Sequence, residues 1–260
     1  MTKEQLSSLP NIYRLLKWNL FLRSGARSIR CRTPFGAYMD LEFVDQSATH
    51  IFFQHYETEE AETIASCVHS GMTVLDIGAN IGYFTLLMAQ RVMAAGTIYA
   101  FEPNPRMIAQ MEKNIALNKG LADGRIKIQD VALGDSEKET DFFVPVRGAE
   151  GVGGLKDTKR APVDQTVRVR VSTLDTWVKS KNIERIDFIK MDVEGGELDI
   201  LRGAQNTLKI MRPAILFEAV ELNTAPYGYA VKDILDHISH YNYEIRPMPC
   251  GYNFLATPRS

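Results

Sequence analysis

Residues Val74 to Thr85 read VLDIGANIGYFT: an apolar run that reaches Asp76, breaks into a loop holding Gly78 and Gly82, and resumes with helical spacing. Few folds are open to a chain written this way. Glycine reaches positive φ and lets backbone approach a ligand closely, while the helix that follows offers N–H groups with no intrahelical partner. The segment therefore predicts a buried strand, a tight loop and a helix N-terminus arranged as a cradle for a polar cofactor. A dinucleotide fingerprint would need G-x-G-x-x-G, whereas the spacing here is Gly78-Ala-Asn-Ile-Gly82, which disfavours hydride-transfer chemistry.

The next apolar run, Thr97 to Phe101, ends at Glu102, a carboxylate placed to accept hydrogen bonds from both hydroxyls of a ribose. Asp76, the glycine loop and Glu102 together point to S-adenosylmethionine. That cofactor carries a sulfonium, an amino-acid head and an adenosine but no phosphate, so carboxylates can surround it where they would repel a pyrophosphate. Asp76 closes a buried strand, where an unpaired carboxylate is costly, so it either orders the loop or accepts from the cofactor's amino group. Asn80 tolerates left-handed backbone and is also explained as a turn residue. Pro103-Asn104-Pro105 starts a helix, with Asn104 either capping it or facing the adenosine.

Strand and helix patterns alternate through the rest of the chain, which predicts an α/β fold with a doubly wound Rossmann-like sheet, mostly parallel, whose last strand is antiparallel. Ahead of it, residues 1–55 read as a helical and short-strand extension, with strands expected at Ala37 to Val44 and His50 to Phe53. Residues 56–260 form the catalytic-type domain. Between 135 and 172 the alternation fails, and a β-rich run, a glycine-rich stretch and alternating Val167, Val169 and Val171 predict an inserted hairpin. Its tip, Arg147 to Arg160, is either a lid over the substrate or an exposed loop.

Four blocks carry a resemblance: VLDIGANIGYFT (74–85), FEPNP (101–105), IDFIKMDVEGGELDILRGA (186–204) and RPAILFE (212–218). The chain resembles class I S-adenosylmethionine-dependent methyltransferases, and the I-K-x-D-x-E-G-x-E pattern of the third block is similar to the FkbM family. The resemblance implies cofactor contacts from Gly78, Ala79, Asn80 and Gly82 in the loop, from Glu102, Pro103 and Asn104, and from Asp130, Val131 and Ala132 at the third strand's end, where a side chain commonly meets the adenine amino group. Asp130 is equally explained as a strand-end turn residue. Tyr56-Glu57 is similar to a family Y-E pair and either closes over the methionine end of the cofactor or begins the next helix.

Lys190, Asp192 and Glu194 alternate along the fourth strand and its exit, and Glu218 ends the fifth. Ionisable residues at a sheet's carboxyl edge are poor core material, so these four are the candidate catalytic set, with Asp192 or Glu194 taking the proton of an acceptor hydroxyl. Asp192, Glu194 and Glu218 are expected to converge, for which recognition of sugar hydroxyls without a metal is favoured over Mg²⁺ coordination. Glu197 is read as a first-turn helix charge. His237 and His240 read as surface residues of a late helix.

The expected activity is O-methylation of a sugar, glycan or secondary metabolite, with N-methylation of a small-molecule amine and a non-catalytic cofactor-binding module as alternatives. An acidic core without an Asn/Asp-Pro-Pro-Tyr motif argues against a nucleic-acid substrate. Three dispersed cysteines (Cys31, Cys67, Cys250) make neither a disulfide framework nor a zinc pair. With no apolar stretch near the ~20 residues of a membrane span, a cytoplasmic protein is expected. Charge is asymmetric: Met1 to Arg32 holds seven cationic residues against Glu4 alone, a balance of +6 that leaves −8 elsewhere because the whole chain stands at −2. Leu9, Ile12, Tyr13, Leu16 and Leu20 recur there at helical spacing. A helix docked on the domain is the favoured reading, with contact to an anionic membrane or an acidic carrier as the other.

Overall fold

A computed structural model describes residues 3–42, 46–122 and 124–259. Helix α1 (Lys3–Ser24) leads into a short antiparallel hairpin of β1 (Ile29–Arg32) and β2 (Tyr38–Leu41), then α2 (Gln46–Phe53) and α3 (Thr58–Cys67). β2 falls within the strand expected at Ala37 to Val44, of which Phe43 and Val44 lie outside the described residues, as does the side chain of Leu9. His50 to Phe53, expected as a strand, instead forms the end of α2. The run Ile51-Phe52-Phe53 is too short for its periodicity to separate strand from helix. Tertiary packing decides, because a helix puts Ala48, Ile51 and Phe52 together on one buried face.

The next units alternate as expected: β3 (Thr73–Ile77), α4 (Tyr83–Val92), β4 (Thr97–Phe101), α5 (Pro105–Ala116), α6 (Lys119–Ala122) and β5 (Ile126–Gln129). The insertion follows as β6 (Ala132–Leu133), β7 (Lys138–Pro145) and β8 (Val163–Ser172), a separate three-stranded sheet in which β7 and β8 form the expected antiparallel pair. Helix α7 (Leu174–Ser180), capped by Thr173 and buried through Leu174 and Trp177, is not anticipated from the sequence. The chain closes with β9 (Phe188–Met191), α8 (Glu197–Arg202), β10 (Ala214–Glu218), α9 (Glu221–Thr224), α10 (Val231–His240), β11 (Tyr243–Pro247) and β12 (Asn253–Pro258). The apolar positions Leu198, Leu201 and Leu208 fall on two elements: α8 stops at Gly203, and Thr207–Met211 forms a π-helical turn.

The main sheet runs β11-β12-β10-β9-β3-β4-β5. β10, β9, β3, β4 and β5 are mutually parallel, and β12, the last strand of the chain, lies antiparallel to β10 and β11. Successive residues alternate between its faces. Val74, Ile98, Phe188 and Leu216 join one core with α3, α4 and the N-terminal elements, while Leu75, Phe101, Ile189 and Phe217 join another with α7, α8 and α10. The exposed edge of β2 is satisfied by side chains from the end of α5 and the turn after it: Asn118, in the turn, donates to and accepts from the Tyr38 backbone (2.7 and 2.8 Å), and Asn114 of α5 accepts from the Asp40 amide (2.9 Å). Asn114 and Asn118 thus stand in for a neighbouring strand, so the hairpin's position is tied to the C-terminal end of α5. Among the described residues no helix is long and apolar enough to cross a membrane.

Candidate functional site

β3 delivers the chain to the carboxyl edge of the sheet, where Gly78 turns at φ +80°. A Cβ on Gly78 would lie 1.8 Å from the Asp192 carbonyl oxygen, so glycine is required for the ends of β3 and β9 to come together. The Gly78 and Ala79 amides both donate to the Phe101 carbonyl (3.0 Å each), which fixes the loop against the end of β4. Gly82, at φ +87°, caps α4. Asp76 is fully buried, and its Oδ2 accepts a hydrogen bond from the Thr85 hydroxyl, one helical turn into α4. Its Oδ1 has no partner among the described residues. Burial raises the Asp76 pKa, opposed by Lys190 and Thr85.

A cavity opens above this edge. Gly78, Ala79, Asn80, Glu102, Pro103, Asn104, Val131 and Ala132 line it, whereas Asp76 and Gly82 lie behind the wall. Glu102 is 6 % exposed, and its two carboxylate oxygens accept from the Asn80 and Asn104 amides (2.9 Å each), so one side chain joins the glycine loop to the turn before α5. Burial, offset by those two amides, raises its pKa to about 7. Asn104 both lines the cavity and caps α5, accepting from the Arg106 amide (3.0 Å). Asp130 does not face the cavity: its side chain is 76 % exposed and pairs with Arg170 of β8 (3.3 Å). β5 ends at Gln129, and the turn into β6 sends Asp130 outward while Val131 and Ala132 point in.

A second cavity adjoins the first and is lined by Glu57, Glu60, Glu218, Arg160, Tyr252 and Asn253 among others. Lys190 and Asp192 belong to both walls. Glu57, expected beside the cofactor, lines this second cavity, and its neighbour Tyr56 lines the first. Lys190 is buried under the Phe84 ring (5.2 Å) and pairs with Asp192 (3.3 Å). Burial alone would lower the Lys190 pKa, but Asp192, Asp76 and Glu57 around it raise it, so the ammonium stays charged. Burial and the nearby Asp192 raise Glu57 to about 7 and Glu218 to about 8.

Asp192, Glu194 and Glu218 converge, each bringing one oxygen within 4.8 Å of the others. Glu194 takes left-handed backbone (φ 60°) to reach the group, where burial and Asp192 push its pKa to about 9. It pairs with Arg160 from the insertion, and Asn223 donates to both Glu194 (2.9 Å) and Glu218 (3.2 Å). Three acids so arranged are a donor set for a cation, yet a guanidinium already supplies the positive charge on Glu194. Glu197 accepts from the Val193 and Gly195 amides (3.2 Å each), holding the turn before α8 by hydrogen bonds and not by the helix dipole alone.

Sequence reasoning passes over Thr85, Arg160 and Tyr227. Thr85 sits three residues into a helical pattern and is recognisable only once Asp76 faces it. Tyr227 reaches the first cavity from a 3-10 turn, and the insertion supplies Phe142, Gly153, Gly154 and Leu155 to the same wall. His237 and His240 stand on α10, away from both cavities.

Among curated proteins, the chain is 30% identical over 148 residues to the 2-O-methyltransferase NoeI of Sinorhizobium fredii, covering 52% of this chain and 58% of that one. It is 25% identical over 164 residues to the hexuronic acid methyltransferase AglP of Haloferax volcanii, covering 63% and 60%. A 208-residue match to the AMB antimetabolite synthetase AmbE of Pseudomonas aeruginosa is 24% identical and spans 66% of this chain but 9% of that protein. The chain thus spans less than two thirds of these relatives' own lengths. Among solved structures, a methyltransferase FkbM from Methylobacillus flagellatus aligns with a TM-score of 0.49 at 16% identity, over 83% of this chain and 56% of that one. Residues 76–245, from the aspartate near the end of β3 into β11, match the family described as the methyltransferase FkbM domain, and the chain belongs to that family.

Proposed function

We propose that the protein is an S-adenosylmethionine-dependent O-methyltransferase acting on a hydroxyl of a sugar, glycan or similar polyhydroxylated metabolite. The observation that carries this reading is the meeting of two cavities at Lys190 and Asp192. The first cavity suits the cofactor's charge: its wall holds four carboxyl groups, Glu42, Glu102, Asp192 and Glu194, against Lys190 alone among cations, and a sulfonium and an ammonium favour their ionised forms where a pyrophosphate would not. Glu102 keeps lone pairs for the ribose hydroxyls beyond the two amides it accepts from. Ala79, Asn80, Pro103, Asn104, Val131 and Ala132 complete the adenosine side. When bound, the cofactor supplies a methyl group on a positively charged sulfur, open to in-line attack by an oxygen lone pair.

The second cavity would then hold the acceptor. Asp192, at the junction, would take the proton from the acceptor hydroxyl during methyl transfer. Lys190 positions that carboxylate. Glu57 and Glu218, with pKa values raised to about 7 and 8, exchange between donor and acceptor near neutral pH, as hydroxyl recognition requires. The same acids would hold an amine as ammonium, without a lone pair for attack, so a hydroxyl acceptor is favoured over an amine. Two relatives are named for 2-O-methylation and for a hexuronic acid, which agrees with a carbohydrate-type acceptor.

Calorimetric titration with S-adenosylhomocysteine, with NAD as control, tests the cofactor; saturable binding of the first alone is expected. Asp192→Asn should keep that affinity and lose about 10²–10⁴-fold in turnover against a panel of glycoside acceptors. Absence of S-adenosylhomocysteine binding would overturn the whole reading, and undiminished turnover in Asp192→Asn would remove the proton-acceptor role.

A further inference from the structure

We propose that the outer face of α1 is a docking surface for an anionic lipid bilayer. Helix α1 is anchored by one side. Trp18 is buried against Phe52 of α2 (4.9 Å between ring centres), Arg14 donates to the Phe52 and Arg32 carbonyls, and Lys17 donates to the Arg30 carbonyl. At 100° per residue, Trp18, Arg14, Phe21 and Lys17 occupy one arc of the helix. The opposite arc carries Ile12, Tyr13, Leu15, Leu16, Leu20 and Leu22, each between 51% and 69% exposed. These six account for half of the large exposed apolar side chains among the described residues. The stripe read from the sequence as a docking face therefore points outward, and a different set of residues makes the dock. Asn19 and Arg23 share this arc, and an exposed face that combines large apolar side chains with a cation marks an interaction site.

Charge selects the occupant. Met1 to Arg32 carries +6 in a chain whose total is −2, and Arg23, Arg27 and Arg30 are exposed on or beside α1. A second copy meeting this face by two-fold symmetry would bring like charges together. An anionic bilayer offers phosphates to the arginines and hydrocarbon to the leucines, and the helix is too polar to span it, so it would lie in the interface. This inference stands on α1 alone and is independent of the methyl-transfer reading.

The test is co-sedimentation of the full chain with vesicles of phosphatidylcholine, with and without phosphatidylglycerol, at low and raised salt. Expected are binding to the anionic vesicles, weakening as salt rises, and a loss on the order of tenfold or more in the double variant Leu16→Ser, Leu20→Ser. Both leucines are exposed, so the melting curve of that variant should match the parent. Arg27→Glu with Arg30→Glu is the second variant, expected to lose anionic binding without touching the apolar face. Failure to sediment with either vesicle, equal binding to neutral and anionic vesicles, or a dimer in light scattering that the leucine variant dissolves would each overturn the proposal.

Discussion

Glu102 serves two purposes with four lone pairs. Two accept from the Asn80 and Asn104 amides and so shape the loop and the turn; the remaining two face the cavity. Because burial raises this carboxyl to about 7, it is largely protonated below that pH in the ligand-free protein. Ribose hydroxyls donate best to the ionised form, so binding must release a proton at acid pH. Affinity for S-adenosylhomocysteine should be flat above about pH 7 and fall by about tenfold per unit below it, read by calorimetry in buffers of differing ionisation heat. Glu102→Gln should weaken binding about 10–100-fold and flatten that profile, since an amide cannot accept from both backbone N–H groups and both hydroxyls. An unchanged slope in Glu102→Gln would place the titrating group elsewhere.

At the scale of elements, the insertion reaches over both cavities but in different ways. Phe142, Gly153, Gly154 and Leu155 wall the first, whereas Arg160 lines the second and pairs with Glu194. Arg160→Ala should therefore leave S-adenosylhomocysteine affinity within a factor of about two while lowering kcat/KM for the acceptor about tenfold, through KM. A large loss of cofactor affinity would show instead that the pair holds the loop of Glu194 and Gly195 in place. The contrast also explains what the sequence made legible. β3, its glycine loop and β4 are specified by residues adjacent in the chain, as is the acidic exit of β9. Helix α2 hides in a short apolar run, α7 in seven residues, and Asp130 turns outward because β5 already ends at Gln129. The partners of the acids, Arg160 and Asn223, lie 34 and 29 residues from Glu194, a distance that no local pattern spans.

For the whole molecule, the acids gathered at one sheet edge reverse the usual dependence of stability on pH. Glu57, Glu102 and Glu197 are raised to about 7, Glu218 to about 8 and Glu194 to about 9, in each case chiefly by burial, from an ordinary value of 4.5. A carboxyl whose folded pKa exceeds its unfolded one binds its proton more tightly when folded. Its contribution is greatest below 4.5 and is lost as pH climbs through the folded value. The ligand-free protein should thus melt at progressively lower temperature as pH rises from about 5 to about 9, although paired carboxylates such as Asp135, whose pKa is lowered, oppose this only in more acid solution. Glu218→Gln fixes one of these groups in a neutral form and should reduce the fall, most visibly near pH 8. Differential scanning fluorimetry across that range reads both effects. A melting temperature that stayed level or climbed toward pH 9 would mean that the acids are ionised in the free protein and that solvent or a bound cation stabilises them. Such an outcome would turn attention back to Asp192, Glu194 and Glu218 as a cation site.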